Sequence, residues 1–80
     1  MVYKERLREF ILANNGNLII RSIKASFALK KIALENNRPL SSERINNEFN
    51  RCVESLYKRE IISPQNLSLE DISIILDMIG

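Results

Sequence analysis

Residues 40–45 read LSSERI and residues 67–72 read LSLEDI, and these two similar stretches decide how the chain is divided into helices. Serine is a favoured N-cap, and apolar residues on either side of a cap form a hydrophobic staple. Acidic side chains in the first turn interact favourably with the positive end of the helix dipole. The pattern predicts a helix start at each stretch, with Ser41 and Ser68 as N-caps. Asp71 also stands where the reciprocal residue of a capping box belongs.

The likeness between the two stretches ends at the isoleucine, whereas a structural repeat would continue over about 20 residues or more. Their common feature is therefore a helix start rather than a repeated functional element. Apolar residues recur at the helical spacing after both serines, which predicts helices over about residues 42–60 and 69–79. Pro64 lies between these helices and predicts the connecting loop.

The first half of the chain shows the same periodicity, which predicts helices over about residues 3–14 and 20–36. Gly16 supplies a residue that tolerates the left-handed conformation at the end of the first helix, and Pro39 disfavours helix immediately before it. The β-branched stretch of residues 17–23 leaves a short extended start to the second helix open.

The second predicted helix and the residues just before it carry apolar side chains on two sides. A helix that is apolar on two sides is normally packed from two sides, as a central helix is. We therefore expect both stripes to be buried. The first stripe consists of Ile19, Ile20, Ile23, Phe27 and Leu34. The second stripe consists of Leu18, Ala25, Leu29 and Ile32.

Length and composition fit one all-α domain over residues 1–80, arranged as a helix-turn-helix-like fold or a compact bundle. A chain this short buries only about 60 to 65% of the surface of its unfolded form, so a partner or a second copy can complete its core. Cys52 is the single cysteine, which excludes an internal disulfide and favours a reducing compartment. The charged start and the lack of an apolar run of roughly 20 residues predict a cytoplasmic protein without a membrane partner.

The residue inventory excludes most catalytic and metal chemistry. The chain has no histidine, the commonest general base and metal ligand, and one cysteine cannot hold zinc or an iron–sulfur cluster. Gly16 and Gly80 are the only two glycines, too few for a phosphate-binding loop. Cys52 lies on the apolar side of the third predicted helix, where a buried thiol is unreactive. We therefore expect no enzymatic activity, no metal, no cofactor and no small-molecule substrate.

Positive charge is concentrated in the first half of the chain. Residues 1–40 contain eight Lys or Arg and three Glu, a balance of +5, whereas residues 41–80 contain four Lys or Arg and seven acids, a balance of −3. Such asymmetry indicates either an anionic partner or attraction between the two halves, and both interpretations stay open. For a nucleic-acid partner, the phosphate contacts would come from basic residues of the second and first helices. These are Arg21, Lys24, Lys30, Lys31, Lys4 and Arg8.

A polar stripe runs along the third predicted helix, opposite its apolar side. Arg and Asn are residue types that read guanine and adenine edges in the major groove of DNA. The stripe consists of Arg44, Asn47, Arg51, Ser55 and Lys58. Glu48 and Glu54 interleave with its cations at spacings of three and four residues, as in a solvated ladder of ion pairs. The stripe therefore has two interpretations, DNA contact and simple solvation.

The stretch from Arg51 to Ser63 reads RCVESLYKREIIS. It contains an apolar residue with a leucine three positions later, a basic pair and a β-branched exit. These features belong to Val53, Leu56, Lys58, Arg59, Ile61 and Ile62. The pattern resembles the end of the recognition helix and the following strand of winged helix-turn-helix domains, which usually have glycine where Glu60 stands and a basic wing afterwards. The resemblance implies that the third helix enters the major groove, with contacts from Arg44, Asn47, Arg51 and Ser55.

Two functional hypotheses follow, and both stay open. The first is a small helix-turn-helix-like protein that binds double-stranded DNA as a regulator or replication accessory. The second is a helical protein–protein interaction module, either an accessory subunit of a larger enzyme or a self-associating bundle. Its partner surface would include Ile74 and Met78, which we expect to lie largely off the core side of the last helix.

Overall fold

The chain forms four helices: α1 (Lys4–Ala13), α2 (Leu18–Glu35), α3 (Glu43–Lys58) and α4 (Leu69–Ile79). The structure, a computed structural model, describes residues 1–63 and 67–80. Within these ranges no strand is longer than an isolated bridge, so the predicted all-α fold is confirmed. None of the four helices is long and apolar enough to cross a membrane. The predicted loop at Pro64 lies outside the described residues.

α4 begins as the sequence predicts, because two reciprocal hydrogen bonds close its first turn. The Ser68 hydroxyl accepts from the Asp71 backbone N–H, and the Asp71 carboxylate accepts from the Ser68 backbone N–H, each at 3.1 Å. This is a capping box in which aspartate takes the place of the usual glutamate. Leu67 is half-buried and Ile72 is fully buried, so the expected apolar residues flank the cap.

α3 begins one residue later than predicted. Its N-cap is Ser42, whose hydroxyl accepts from the Ile45 backbone N–H at 3.2 Å, so the predicted cap at Ser41 is wrong. The two serines are adjacent and equally suited to capping, so local preference does not distinguish them. With Ser42 as the cap, Leu40 lies two residues before it and packs against the core. The staple spacing therefore holds for α4 and not for α3.

A residue in the left-handed conformation ends α3. Glu60 has a φ of 59°, and the Ile61 N–H donates to the Leu56 carbonyl at 3.0 Å. The Glu60 N–H donates to the Tyr57 carbonyl at 2.9 Å, which completes a Schellman motif. Ile61 and Leu56 are both buried, as the apolar contact of this motif requires. α3 therefore ends at Lys58 rather than at the predicted residue 60.

α2 starts earlier than predicted. It begins at Leu18, and the extended start that the sequence left open is absent from this described segment. Its end is a second Schellman motif, in which Asn37 has a φ of 51° and the Arg38 N–H donates to the Ala33 carbonyl at 2.9 Å. This end lies close to the predicted one.

One hydrophobic core joins all four helices, and α2 lies at its centre with one of its two apolar stripes buried there. α2 packs against α3 and α4, and α1 packs against α4. The ring centroid of Phe27 lies 5.1 Å from that of Phe49, with the planes tilted by 47°, a favourable aromatic arrangement. The buried core residues are Leu7, Phe10, Ile23, Phe27, Phe49, Cys52, Leu56, Ile61, Ile62, Ile72 and Ile75.

The first residues of the chain pair with the segment that follows α3. Val2 and Ile62 form an isolated antiparallel bridge. Beside the bridge, the Tyr3 N–H donates to the Ile61 carbonyl at 2.8 Å. Ile61 and Ile62 are almost fully buried, so the bridge closes one side of the core.

Candidate interaction surfaces

α2 exposes a row of apolar side chains along its whole length. Leu18 is 74% exposed, Leu29 is 45% exposed and Ile32 is 57% exposed. Ala25 is exposed between them. The sequence predicts burial of this stripe, and that expectation is wrong because α3 and α4 cover the opposite stripe of α2. Contiguous exposed apolar side chains mark contact surfaces far more often than single ones do.

The exposed stripe has the spacing of a coiled-coil seam. From Leu18 onward its positions are separated alternately by four and three residues, the spacing that keeps side chains between two paired helices. We call this surface the α2 seam, which consists of Leu18, Ser22, Ala25, Leu29, Ile32 and Asn36. Ser22 is half-buried, and the other five side chains are exposed. Ser22 and Ala25 are the small residues of the seam, and Leu18, Leu29 and Ile32 are its large apolar residues.

A groove of about 200 Å³ adjoins the C-terminal half of the α2 seam. Ile32 lines one side of the groove, and Pro39, Leu40 and Ile45 line it from the connection to α3 and the first turn of α3. Asn36 lies at its edge, where the side-chain amide donates to the Ile32 carbonyl at 2.8 Å. Two further polar residues of the connection, Arg38 and Ser41, also line the groove, but its larger aliphatic part suits an aliphatic side chain.

Two opposite charges lie on the same flank of the α2 seam, near its two ends. Arg21, Ala28 and Glu35 are seven residues apart and therefore nearly in line along α2. Arg21 and Glu35 are exposed, and neither forms an ion pair with any residue of 1–63 or 67–80. Within one copy they are separated by about 21 Å along the helix axis, too far to pair with each other.

The α2 cations predicted to bind phosphates have different environments. The Lys24 ammonium donates to the Gly80 carbonyl at 2.6 Å, which ties α2 to the end of α4. Lys31 is half-buried, whereas Arg21 is exposed beside the seam. The neighbouring Lys30 ammonium lies 5.3 Å from the centre of an aromatic ring of α3, a cation–π contact. Much of the positive charge of α2 is thus engaged with the protein itself.

α3 presents its predicted polar stripe to solvent. The exposed members are Arg44, Asn47, Arg51 and Lys58, and Ser55 is half-buried. Arg51 pairs with Glu48 and Lys58 pairs with Glu54, each at 3.3 Å. The Ser55 hydroxyl accepts from the Arg59 side chain. The ion-pair ladder is therefore present, and Arg44 is the stripe cation that pairs with no carboxylate in the described part of the chain.

The last helix offers less free apolar surface than the sequence predicts. Ile74 and Met78 are both half-buried, and Met78 packs against the core. Met78 also borders a hollow with Ile11 and Leu12 of α1. The larger exposed apolar surface is the α2 seam, whose spacing is visible in the sequence although its exposure is not.

The thiol of Cys52 is buried in the core and weakly reactive. It lies between α3 and α2 and donates to the Ser26 hydroxyl at 3.9 Å. Burial raises the pKa of the Cys52 thiol, although the hydrogen bond to Ser26 acts in the opposite direction. A protonated, buried thiol is a poor nucleophile. No group of three or more potential metal ligands comes together in residues 1–63 and 67–80.

Known proteins give no independent indication of which surface is used. Comparisons of the chain with protein-family models, with curated proteins and with solved structures found no match. The α2 seam and the α3 stripe therefore have to be weighed by their own geometry and chemistry.

Proposed function

We propose that this protein is a helical protein–protein interaction module and that its contact surface is the α2 seam. The observation that carries the proposal is the exposure of three large apolar side chains, Leu18, Leu29 and Ile32, in one row. An apolar row at this spacing is the part of a helix that packs against a second helix or lies in a groove.

Burial of the α2 seam by a partner would contribute several kcal/mol to binding. Full burial of a leucine or isoleucine contributes about 1.5 to 3 kcal/mol relative to exposure in water. Leu29 and Ile32 are already partly covered, so Leu18 has the most to gain. A few such side chains at the centre of a contact commonly supply most of its binding energy.

Site-specific photo-crosslinking tests the proposal. A photoreactive amino acid replaces Leu29 in the seam or, as a control, the exposed Leu12 of α1, and irradiation is carried out in the native lysate. We expect a protein adduct from position 29 and none from position 12. The mass of the adduct distinguishes a second copy, at twice the 9.3 kDa of one chain, from a different protein. If position 29 gives no protein adduct, the proposal is wrong.

A second candidate function is DNA binding through the α3 stripe, as the winged-helix resemblance suggests. The observation in its favour is that Arg44 and Asn47 are exposed on the side of α3 opposite the core, where side chains can reach base edges. Arg51 would have to exchange its ion pair with Glu48 for a DNA contact. The α2 seam is favoured as the primary surface because a DNA contact would leave its apolar side chains exposed.

Binding to duplex DNA at two salt concentrations tests the second candidate. Phosphate contacts make affinity fall steeply as salt rises, and each contact that is removed lowers the slope by about one unit. We expect Arg44→Ala to weaken binding and Arg6→Ala, on α1, to leave it unchanged, because the Arg6 guanidinium is already paired with Glu60. A chain that binds no duplex at a salt concentration of about 50 mM does not use this surface for DNA.

A further inference from the structure

We propose that the partner of the α2 seam is a second copy of this chain, paired with the first through antiparallel α2 helices. This inference rests on the proposed function, because it uses the same surface. In a two-fold symmetric pair each copy presents the same residues to the other, so the surface has to be complementary to itself. The α2 seam meets this condition in side-chain size, in charge and in its adjoining groove.

Small and large side chains of the seam face each other when two α2 helices run in opposite directions. In an antiparallel pair centred on residue 27, Ala25 lies opposite Leu29 of the second copy. In the same register, Ser22 lies opposite Ile32 of the second copy. Each layer then combines one small and one large side chain, which fills the contact evenly. A parallel pair would place Ala25 against Ala25 and leave a gap there.

The charges on the flank favour the same orientation. The reversed helix brings Arg21 of each copy to within about 3 Å, along the axis, of the level of Glu35 in the other copy. Two equivalent ion pairs form in this way, from side chains that are exposed and unpaired in the single described copy. Ala28 of each copy lies between these pairs, where its small side chain lets the helices approach. A parallel pair would place Arg21 level with Arg21 and would form no opposite-charge pair.

The groove beside the seam receives Leu18, which with Leu12 is one of the two most exposed large apolar side chains of the described residues. In the antiparallel register Leu18, which is 74% exposed, lies level with Asn36 of the second copy. Asn36 stands at the edge of the groove of about 200 Å³ that Leu40 and Ile45 help to form. Leu18 of each copy therefore enters the groove of the other, so the symmetric dimer contains this contact twice.

Charge reversal on the flank distinguishes the antiparallel dimer from other arrangements. Sedimentation equilibrium in low-salt buffer is applied to the wild-type chain, to Arg21→Glu, to Glu35→Arg and to an equimolar mixture of both variants. We expect the wild-type chain to reach twice its 9.3 kDa mass. The dissociation constant of each variant alone should rise about tenfold, because two attractive pairs become repulsive. The mixture should regain wild-type affinity, because the introduced carboxylates then face guanidinium groups.

Matched charge changes on α1 control for net charge. Lys4→Glu and Glu9→Arg alter exposed residues away from α2 and should leave the dissociation constant unchanged. Antiparallel pairing is overturned if both flank variants associate like the wild type, or if their mixture stays as weak as its components. A wild-type chain that stays at 9.3 kDa at the highest accessible concentration also overturns it. In that case a photo-adduct with a different protein at Leu29 would leave the interaction-module proposal standing, whereas no adduct would remove both.

Truncation of Leu18 tests its insertion into the groove. Leu18 and Leu12 are both 74% exposed in the single copy, so Leu12→Ala is a matched control for Leu18→Ala. We expect Leu18→Ala to raise the dissociation constant by about tenfold or more, because two buried leucines are lost per dimer, and Leu12→Ala to leave it unchanged. Circular dichroism verifies that both variants keep their helices. An unchanged dissociation constant for Leu18→Ala overturns the insertion.

Discussion

The Asp71 carboxylate joins the start of α4 to the start of the chain. It accepts from the Ser68 backbone N–H and from the Ser68 hydroxyl, at 3.1 and 3.0 Å, and lies 3.4 Å from the Met1 ammonium. Burial raises the pKa of Asp71, but the hydrogen bonds from Ser68 and the Met1 charge outweigh burial and hold the pKa below its ordinary value of 3.8. A carboxyl whose pKa is lower in the folded than in the unfolded state stabilises the fold when it is ionised.

We expect Asp71→Asn to lower the free energy of unfolding at neutral pH by about 1 kcal/mol, the usual contribution of a helix cap. The stabilisation by the ionised carboxyl is complete above its ordinary, unfolded-state pKa of 3.8 and is lost as the pH falls through the lower folded-state pKa. In urea unfolding, the difference between wild type and variant should shrink over that acidic range. Asp77→Asn, at the exposed far end of α4, should not destabilise the protein, because a negative charge there opposes the helix dipole. Equal urea midpoints for wild type and Asp71→Asn at neutral pH would contradict this role.

Single-residue contacts can be predicted from the sequence when the partners are close along the chain. Ser68 and Asp71 are three residues apart, so the pattern itself indicates the cap. Lys24 and Gly80 are 56 residues apart, and nothing local predicts the hydrogen bond between them. The sequence predicts Lys24 as a phosphate contact, a role with which this internal bond competes.

At the scale of the element, the start of α3 depends on which of two adjacent serines caps it. We expect Ser42→Ala to lower the free energy of unfolding by about 1 kcal/mol, because the Ile45 N–H loses its acceptor. The neighbouring Ser41→Ala should change it by less than about 0.5 kcal/mol. Chemical denaturation of both variants measures the difference. A larger loss from Ser41→Ala would place the cap where the sequence predicts it.

The end of α3 carries a conformational cost that a substitution can remove. Glu60 has a φ of 59°, a left-handed conformation that costs a residue with a side chain about 1 to 2 kcal/mol. Glu60→Gly removes this cost together with an exposed ion pair to Arg6, which contributes little. We therefore expect the free energy of unfolding to rise by about 1 kcal/mol, which a higher urea midpoint would show. Asn37→Gly should give a smaller gain, because asparagine tolerates this conformation. A lower midpoint for Glu60→Gly would contradict the expected gain.

Helix positions can be predicted well from periodicity, and their ends less well. α4 has the predicted bounds because its cap is local. α3 is shorter than predicted because the burial of Ile61 holds Glu60 in a conformation that no local pattern requires. The α2 seam is visible as an apolar stripe, but its exposure depends on how many helices surround α2. Periodicity does not contain that information, so the sequence predicts burial of a stripe that the structure leaves exposed.

At the scale of the whole molecule, the pairing of the chain start with the segment after α3 joins two distant parts of the sequence. We expect Tyr3→Pro to lower the free energy of unfolding by about 1 to 3 kcal/mol, because the buried Ile61 carbonyl loses its donor. Tyr3→Ala keeps the backbone N–H and removes a side chain that is 43% exposed, so it should destabilise the protein less. The difference in denaturant midpoint between the two variants measures the hydrogen bond. Equal midpoints would show that the bond does not contribute.

The arrangement of the whole molecule is only partly contained in its sequence. The all-α fold follows from apolar periodicity, but α2 is packed along one stripe only and not along the two that the periodicity predicts. The bridge between Val2 and Ile62 cannot be predicted in this way, because its two partners are 60 residues apart in the sequence. The described chain measures 32 × 24 × 22 Å, and a molecule of this size buries a modest core. A second copy on the α2 seam would enlarge the buried apolar surface without any change in the fold.

The single buried thiol can report how often α3 and α2 separate. Cys52 is 7% exposed and sealed between α3 and α2, so an alkylating reagent reaches it only when these helices separate. The labelling rate, compared with that of the unfolded chain, therefore measures the free energy of that local opening. If α2 also holds a second copy, separation becomes harder as the protein concentration rises. Labelling should then slow with concentration, and a rate independent of concentration would mean that the opening does not involve the seam.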